Sequence, residues 1–150
     1  MFNFWYSNYF FDISTVYRSS NIMFNFPVKV YYEDTDSGGV VYYANYLKFT
    51  ERARTNMIQE LGFTLNQLHD DHDCLFIVKK VNCEYLQSAK LEDTLEVHSK
   101  IIQVKNASFE LEQNIFRDNK IIFLSNIIMV CVNPKGKPKK IPENIASLLR

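Results

Sequence analysis

The stretch VYYEDTDSGGVVYYANYLKFTERART, residues 30–55, decides the reading of this chain. β-Branched and aromatic residues from Val28 to Glu33 predict a first strand. It runs into two carboxylates, Asp34 and Asp36, and then into Gly38 and Gly39. Beyond the glycines, Leu47, Thr50, Arg54, Met57, Ile58 and Leu61 fall at helical spacing, with Tyr46, Phe49 and Ala53 widening the face. The spacing predicts a helix over 43–61, stopped by Gly62. A carboxylate therefore lies close to the free N–H groups of a helix N-terminus, where the helix dipole favours negative charge. Such N–H groups can polarise a carbonyl oxygen, and a base or nucleophile beside them is the minimum equipment for acyl transfer.

Downstream the pattern changes to strands. A polar loop is expected over 66–73, then strands over 75–85 and 94–104. Phe109, Leu111, Gln113 and Ile115 alternate on one face. Asp118-Asn119-Lys120 forms a short turn, and the apolar run 121–132 returns from it. Asn133-Pro134-Lys135-Gly136 is a further turn, and a short helix follows Pro142. One central helix in a strand-rich meander argues an α+β class. Periodicity alone does not choose a fold within that class.

With 150 residues the chain suits a single domain, and 47% hydrophobic with 23% charged residues is a globular composition rather than a disordered one. The formal net charge of zero gives no sign of nucleic-acid binding. Cys74, Cys83 and Cys131 show no CxxC spacing and read as buried thiols in a reducing, cytoplasmic setting. Residues 1–22 are crowded with aromatics and too interrupted by polar residues to span a membrane. Met23-Phe24-Asn25-Phe26 repeats Met1-Phe2-Asn3-Phe4. The expected division is an N-terminal extension, 1–22, disordered or preceding a natural start at Met23, and a domain over 23–150. An aromatic arm docked on a partner subunit is the rival reading.

The segment Asp34-Thr35-Asp36-Ser37-Gly38-Gly39-Val40-Val41-Tyr42, followed by Ala44-Asn45-Tyr46 and Glu51-Arg52-Ala53-Arg54, resembles the 4-hydroxybenzoyl-CoA thioesterase family of hotdog-fold proteins. The resemblance is to its YbgC type, acyl-CoA thioesterases associated with the Tol–Pal cluster. It is close over 28–62 and continuous to about residue 142. It implies a curved antiparallel sheet wrapped around one long helix, and hydrolysis of the thioester between an acyl group and coenzyme A. No metal or redox cofactor is implied; coenzyme A is the leaving group. A homodimer with sheets joined edge to edge, pairing further into a homotetramer, is also implied, and an acyl-carrier protein is a further candidate partner.

On this resemblance Asp36 matches the catalytic aspartate, as nucleophile or as base for the attacking water. By itself an Asp before Gly-Gly reads as a turn former. Tyr43 matches the position whose backbone N–H polarises the thioester carbonyl. The YbgC type usually carries histidine there, so side-chain acid–base help and acyl preference are what the tyrosine changes. Gly38 and Gly39 let the loop turn and let ligand approach the backbone. Tyr32 matches a tyrosine near the carboxylate, or packs on the core as a strand aromatic. Lys137, Lys139 and Lys140 read either as solvated turn residues or as cations for the phosphates of coenzyme A.

Other patterns carry less. Counting from Asp34, a calcium loop fails at Gly38 and at Asn45, where a bidentate Glu is needed. His69 and His72 share a helical spacing without a third ligand, so no metal site is assigned. Glu51 is a reserve carboxylate whose simpler role is pairing with Lys48 and Arg54. A dehydratase of the same fold would need a histidine that residues 1–68 lack. A non-catalytic hotdog module for acyl carriage or protein interaction is the alternative function.

Overall fold

The computed structural model describes residues 22–150. The chain forms an α+β hotdog arrangement of five strands and three helices. In order these are β1 (Met23–Lys29), α1 (Asn45–Glu60), α2 (Leu65–His72), β2 (Leu75–Tyr85), β3 (Thr94–Val104), β4 (Ser108–Arg117), β5 (Lys120–Val132) and α3 (Glu143–Leu149). The sheet order is β1-β3-β4-β5-β2, and every neighbouring pair is antiparallel. The expectation for residues 1–22 lies, Ile22 aside, outside the described residues.

The alternation expected in β4 is observed: Phe109, Leu111, Gln113 and Ile115 are buried while their neighbours are not. The β4–β5 connection needs two residues with positive φ, and Asp118 (50°) and Asn119 (62°) supply them. Asn and Asp tolerate that conformation because their short polar side chains bond locally. α1 packs Tyr46, Phe49, Ala53, Met57 and Ile58 against the sheet. Leu47, expected on this face, is exposed; the buried stripe is centred on Phe49 and Ala53 and leaves Leu47 outside its edge.

Two further expectations are corrected. The first strand is Met23–Lys29, not 28–33. Its register pairs Met23 with Lys100 and Lys29 with Thr94 at the edge of the sheet, where Pro27 is tolerated. Residues 32–34 instead form a 3-10 turn, since the Asp34 carboxylate accepts the Tyr31 N–H at 2.9 Å. The polar loop expected over 66–73 is helix α2. Thr64 Oγ1 accepts the Gln67 N–H at 3.2 Å, and Gln67 Oε1 accepts the Thr64 N–H at 2.8 Å. That reciprocal cap satisfies two donors at the start of a helix with one buried apolar residue, Leu68.

The core has two apolar clusters. One gathers Val30, Val41, Tyr46, Phe49, Leu95 and Phe123 at the N-terminal end of α1. The other gathers Met57, Leu61, Leu68, Cys74, Cys131 and Ile141 at its C-terminal end. The first positions the candidate site.

Candidate active site

Residues 34–42 form a small hairpin set against the head of α1. Thr35 pairs with Val41, and the Asp36 N–H donates to Val40 O at 2.9 Å. The turn is closed by the Gly39 N–H donating to Asp36 O at 3.0 Å, with Gly39 at φ 75°, a conformation that favours glycine. The Gly38 N–H donates to Asp36 Oδ1 at 2.8 Å. A Cβ on Gly38 would lie 3.1 Å from that same oxygen, so the close approach depends on glycine. Asp36 thus shapes its turn through one carboxylate oxygen, and its side chain remains open to solvent.

The hairpin is fastened to α1 through Asp34, which is buried. Asp34 O accepts the Tyr42 N–H and the Asn45 amide, both at 2.9 Å. Asn45 escaped the sequence reading, which weighed it only as a failed calcium ligand. A buried amide at the first position of a helix is the signal that could have found it.

Tyr43 lies two residues before α1 rather than inside it. Its side chain is 62% exposed, and among the described residues the N–H groups of Tyr43 and Ala44 donate to no protein acceptor. Ala44 is the N-cap and provides no side-chain cap, and no acidic residue occupies the first turn. The positive end of the helix dipole is therefore unneutralised at this point. Tyr85 donates its hydroxyl to Tyr43 O at 3.0 Å, which fixes the turn. Burial is the first of several causes pushing the Tyr85 phenol up to about 12, so it stays a donor at neutral pH. Tyr46 donates no such bond; its hydroxyl accepts the Ala89 N–H at 2.9 Å and anchors the segment beside the hairpin.

An open cleft of about 260 Å³ lies at Tyr43, walled by Val41, Tyr46, Tyr85, Leu86, Gln87 and Ser88. The Tyr42 phenol is raised from its ordinary value first by its bond to Tyr43 and least by the charge of Asp36. Tyr32, read as either a site or a core residue, is 82% exposed in its 3-10 turn and packs in no core.

Two other features lie away from this loop. A more enclosed, apolar cavity of about 150 Å³ lies between α1 and the sheet, lined by Met57, Ile58, Leu65, Phe76, Phe109 and Met129 with Glu51 and Arg54. Glu51 pairs with neither expected cation and accepts the Thr55 hydroxyl at 3.0 Å, while Arg54 turns inward to Gln113. Lys137, Lys139 and Lys140 follow β5 and stand by the second core cluster, so within one chain they are not brought to Asp36. Lys139 donates its ammonium to His72 O at 2.9 Å, and Lys137 and Lys140 are exposed. His69 meets Asp70 and His72 packs on Phe63; among the described residues no group of three metal-ligating side chains converges. No described helix is long and apolar enough to cross a membrane.

Comparison with known proteins bears on family and fold. Residues 28–149 match the model of the thioesterase-like superfamily. The chain is 42% identical over 123 residues to the acyl-CoA thioesterase YbgC of Haemophilus influenzae, covering 81% of this chain and 90% of that one. It is 39% identical over 127 residues to the acyl-CoA thioester hydrolase YbgC of Escherichia coli O6:H1, covering 83% and 94%. A probable thioesterase from Bartonella henselae has a closely similar solved structure, with TM-score 0.78 and 28% identity over 81% of this chain and 100% of that one.

Proposed function

The chain belongs to the thioesterase-like superfamily, and from that premise we propose that it hydrolyses the thioester of an acyl-coenzyme A to a free acid and coenzyme A, with Asp36 and the Tyr43 N–H as its working groups. The activity is thioester hydrolysis. The observation that carries the residue assignment is the hairpin itself: it holds the Asp36 carboxylate on the same short segment as the undonated N–H of Tyr43 at the head of α1.

The thioester carbonyl oxygen takes the Tyr43 N–H, and the helix dipole stabilises the negative charge that develops on it. The Asp36 carboxylate either attacks the carbonyl carbon, expelling the thiolate and leaving an acyl anhydride that water opens, or takes a proton from the water that attacks. Label in Asp36 after a single turnover in ¹⁸O-labelled water identifies the first route, because water that opens the anhydride at the Asp36 carbonyl leaves its oxygen there. A steady-state assay over short-chain, long-chain and aromatic acyl-CoAs tests the function. No turnover of any of them would favour the non-catalytic hotdog module.

Two copies pair through β2 on this reading. β2 is an edge strand, and Ile77, Val78, Tyr85 and the adjoining Leu86 are exposed. An unpaired apolar edge is a standing template for association. Antiparallel pairing of two β2 strands carries the Leu75 end of one toward the Tyr85 end of the other. The lysine turn and the apolar cavity of one copy then approach the Asp36 loop of the other. The cavity takes the acyl group, and Lys137, Lys139 and Lys140 meet the phosphates of coenzyme A. Pairing of dimers into tetramers, a cytoplasmic location and acyl-carrier protein as an additional substrate carrier complete the proposal. We assign residues 23–150 to the hydrolase domain and 1–22 to an N-terminal extension, of which Ile22 packs against the second core cluster.

A further inference from the structure

Cys74 and Cys131 take no part in acyl transfer, yet their Sγ atoms lie 3.1 Å apart. Cys74 sits between α2 and β2, and Cys131 lies in β5. The β2–β5 register places Phe76 opposite Cys131, so Cys74, two residues earlier, is its diagonal neighbour on the core side. Both thiols are fully buried in the cluster around Leu68 and Ile141. Cys83, in contrast, is exposed on the β2 edge, where a buried thiol was expected. Lys139 is fastened beside the pair: its N–H donates to Cys131 O at 3.0 Å and its ammonium to His72 O at 2.9 Å.

We propose that Cys74 and Cys131 form a dithiol site that hydrogen peroxide closes into an intramolecular disulfide. Either sulfur can donate across this contact, and the Lys139 charge favours a thiolate on both. The sulfur that ionises first attacks the peroxide, and its neighbour resolves the product. The attacking sulfur takes one peroxide oxygen as a sulfenic acid, and the other oxygen leaves as water. The second sulfur then displaces the sulfenic oxygen as a second water, forming the S–S bond. Two thiols and one peroxide thus give one disulfide and two waters. Peroxide is about the size of water, whereas a tripeptide thiol is too large to reach a buried sulfur, so the pair responds to small oxidants and closes slowly.

The bridge would join residues 57 apart in sequence and fasten the junction of α2 and β2 to β5. Closing so long a loop restricts the unfolded chain, which raises the thermal midpoint. Asp36 of the same chain stands at the other end of α1. The inference does not depend on the acyl-CoA reading.

The test uses the full chain carrying Cys83→Ser, treated with hydrogen peroxide, then unfolded and labelled with a maleimide. The expected result is a protein lighter by two hydrogens and free of maleimide. It contains a cross-linked peptide pair holding Cys74 and Cys131, is reversed by dithiothreitol, and melts several degrees higher. Cys74→Ser and Cys131→Ser, each in that background, should leave on the remaining cysteine a sulfenic acid that a 1,3-dione traps; if one variant does not fold, the other carries the test. Oxygen-bearing adducts on either cysteine without a cross-link would overturn the proposal. So would two fully labelled thiols after prolonged exposure to excess peroxide.

Discussion

Arg54 donates through Nη1 to Gln113 Oε1 at 2.8 Å, joining α1 to β4 across the middle of the core. Gln113 in turn donates its amide to Thr50 O at 3.1 Å and to Ser99 Oγ at 2.7 Å. This belt divides the two apolar clusters. Arg54 enters no ion pair among the described residues, and burial presses its guanidinium below the usual value. The glutamine is thus the acceptor that makes the inward arginine tolerable. Gln113→Leu removes that acceptor and leaves the half-buried guanidinium with only the longer bond to Thr50 Oγ1 at 3.3 Å, at an expected cost of about 1–3 kcal/mol in urea unfolding. Arg54→Met added to Gln113→Leu should recover much of the loss, since an apolar layer replaces the broken belt. A single-variant loss below about 0.5 kcal/mol would mean that water serves the arginine equally well.

Asp36→Asn tests the catalytic assignment with little structural disturbance. The amide oxygen of the replacement still accepts the Gly38 N–H, so the hairpin should keep its form. The charge and basicity are lost, and kcat should fall at least ~100-fold with the thermal midpoint unchanged. Near-normal turnover would transfer the carboxylate role to Glu51.

Gly38→Ala asks whether the position of the carboxylate matters as well as its presence. The new Cβ would stand 3.1 Å from Asp36 Oδ1, tight enough to push it aside. Gly38 has no positive φ, so backbone strain is small. The expected outcome is a kcat lowered by roughly 10-fold at nearly unchanged stability, as befits a misplaced catalytic group. Equal activity would show that the Asp36–Gly38 bond is a turn device and nothing more.

The strands were legible because period-two alternation and Asn/Asp turns record one buried sheet face directly; Phe109 to Ile115 is the clearest instance. The turn at Asp36, Gly38 and Gly39 was legible, while the hairpin it closes was not. α2 was hidden because a short helix with only Leu68 buried has no amphipathic stripe, and its Thr64–Gln67 cap was the one local sign. β1 was placed late because its pairing with β3 is a long-range fact. Asn45 was missed for the same reason, since its acceptor is a carbonyl eleven residues away. The distance between the lysine turn and Asp36 follows from topology: α1, 16 residues long, separates the two ends by about 24 Å.

That separation sharpens the lysine prediction. Lys137→Ala with Lys140→Ala removes two exposed cations and leaves Lys139 on His72 O. KM for acyl-CoA should rise several-fold with kcat nearly constant, because phosphate contacts act alike in ground and transition states. Added salt should weaken capture in the unaltered protein for the same reason. An unchanged KM would make these lysines solvated turn residues. If the rise depends on protein concentration through the dimer, the lysines serve the neighbouring copy.

Asp93 supplies a pH dependence of stability. Its Oδ2 accepts Arg117 Nη1 at 2.8 Å and the Lys90 N–H at 2.9 Å, and Lys90 pairs with Val40 of the Asp36 hairpin. Burial alone would raise the carboxyl, but the bonds to Arg117 and Lys90 outweigh it and hold it below the ordinary carboxylate range. A folded-state value below the unfolded one means that this group stabilises the fold fully above the unfolded value, about 3.9. The contribution shrinks as pH falls below that point and is gone once the folded carboxyl is protonated. Asp93→Asn should therefore cost on the order of 1 kcal/mol at pH 7, and the two proteins should converge in stability toward pH 3. Urea unfolding at pH 7, 5, 4 and 3 measures the difference. A gap that stays constant across that series would show that the asparagine variant fails by packing or lost bonds alone, and that the Asp93 charge does not brace the hairpin.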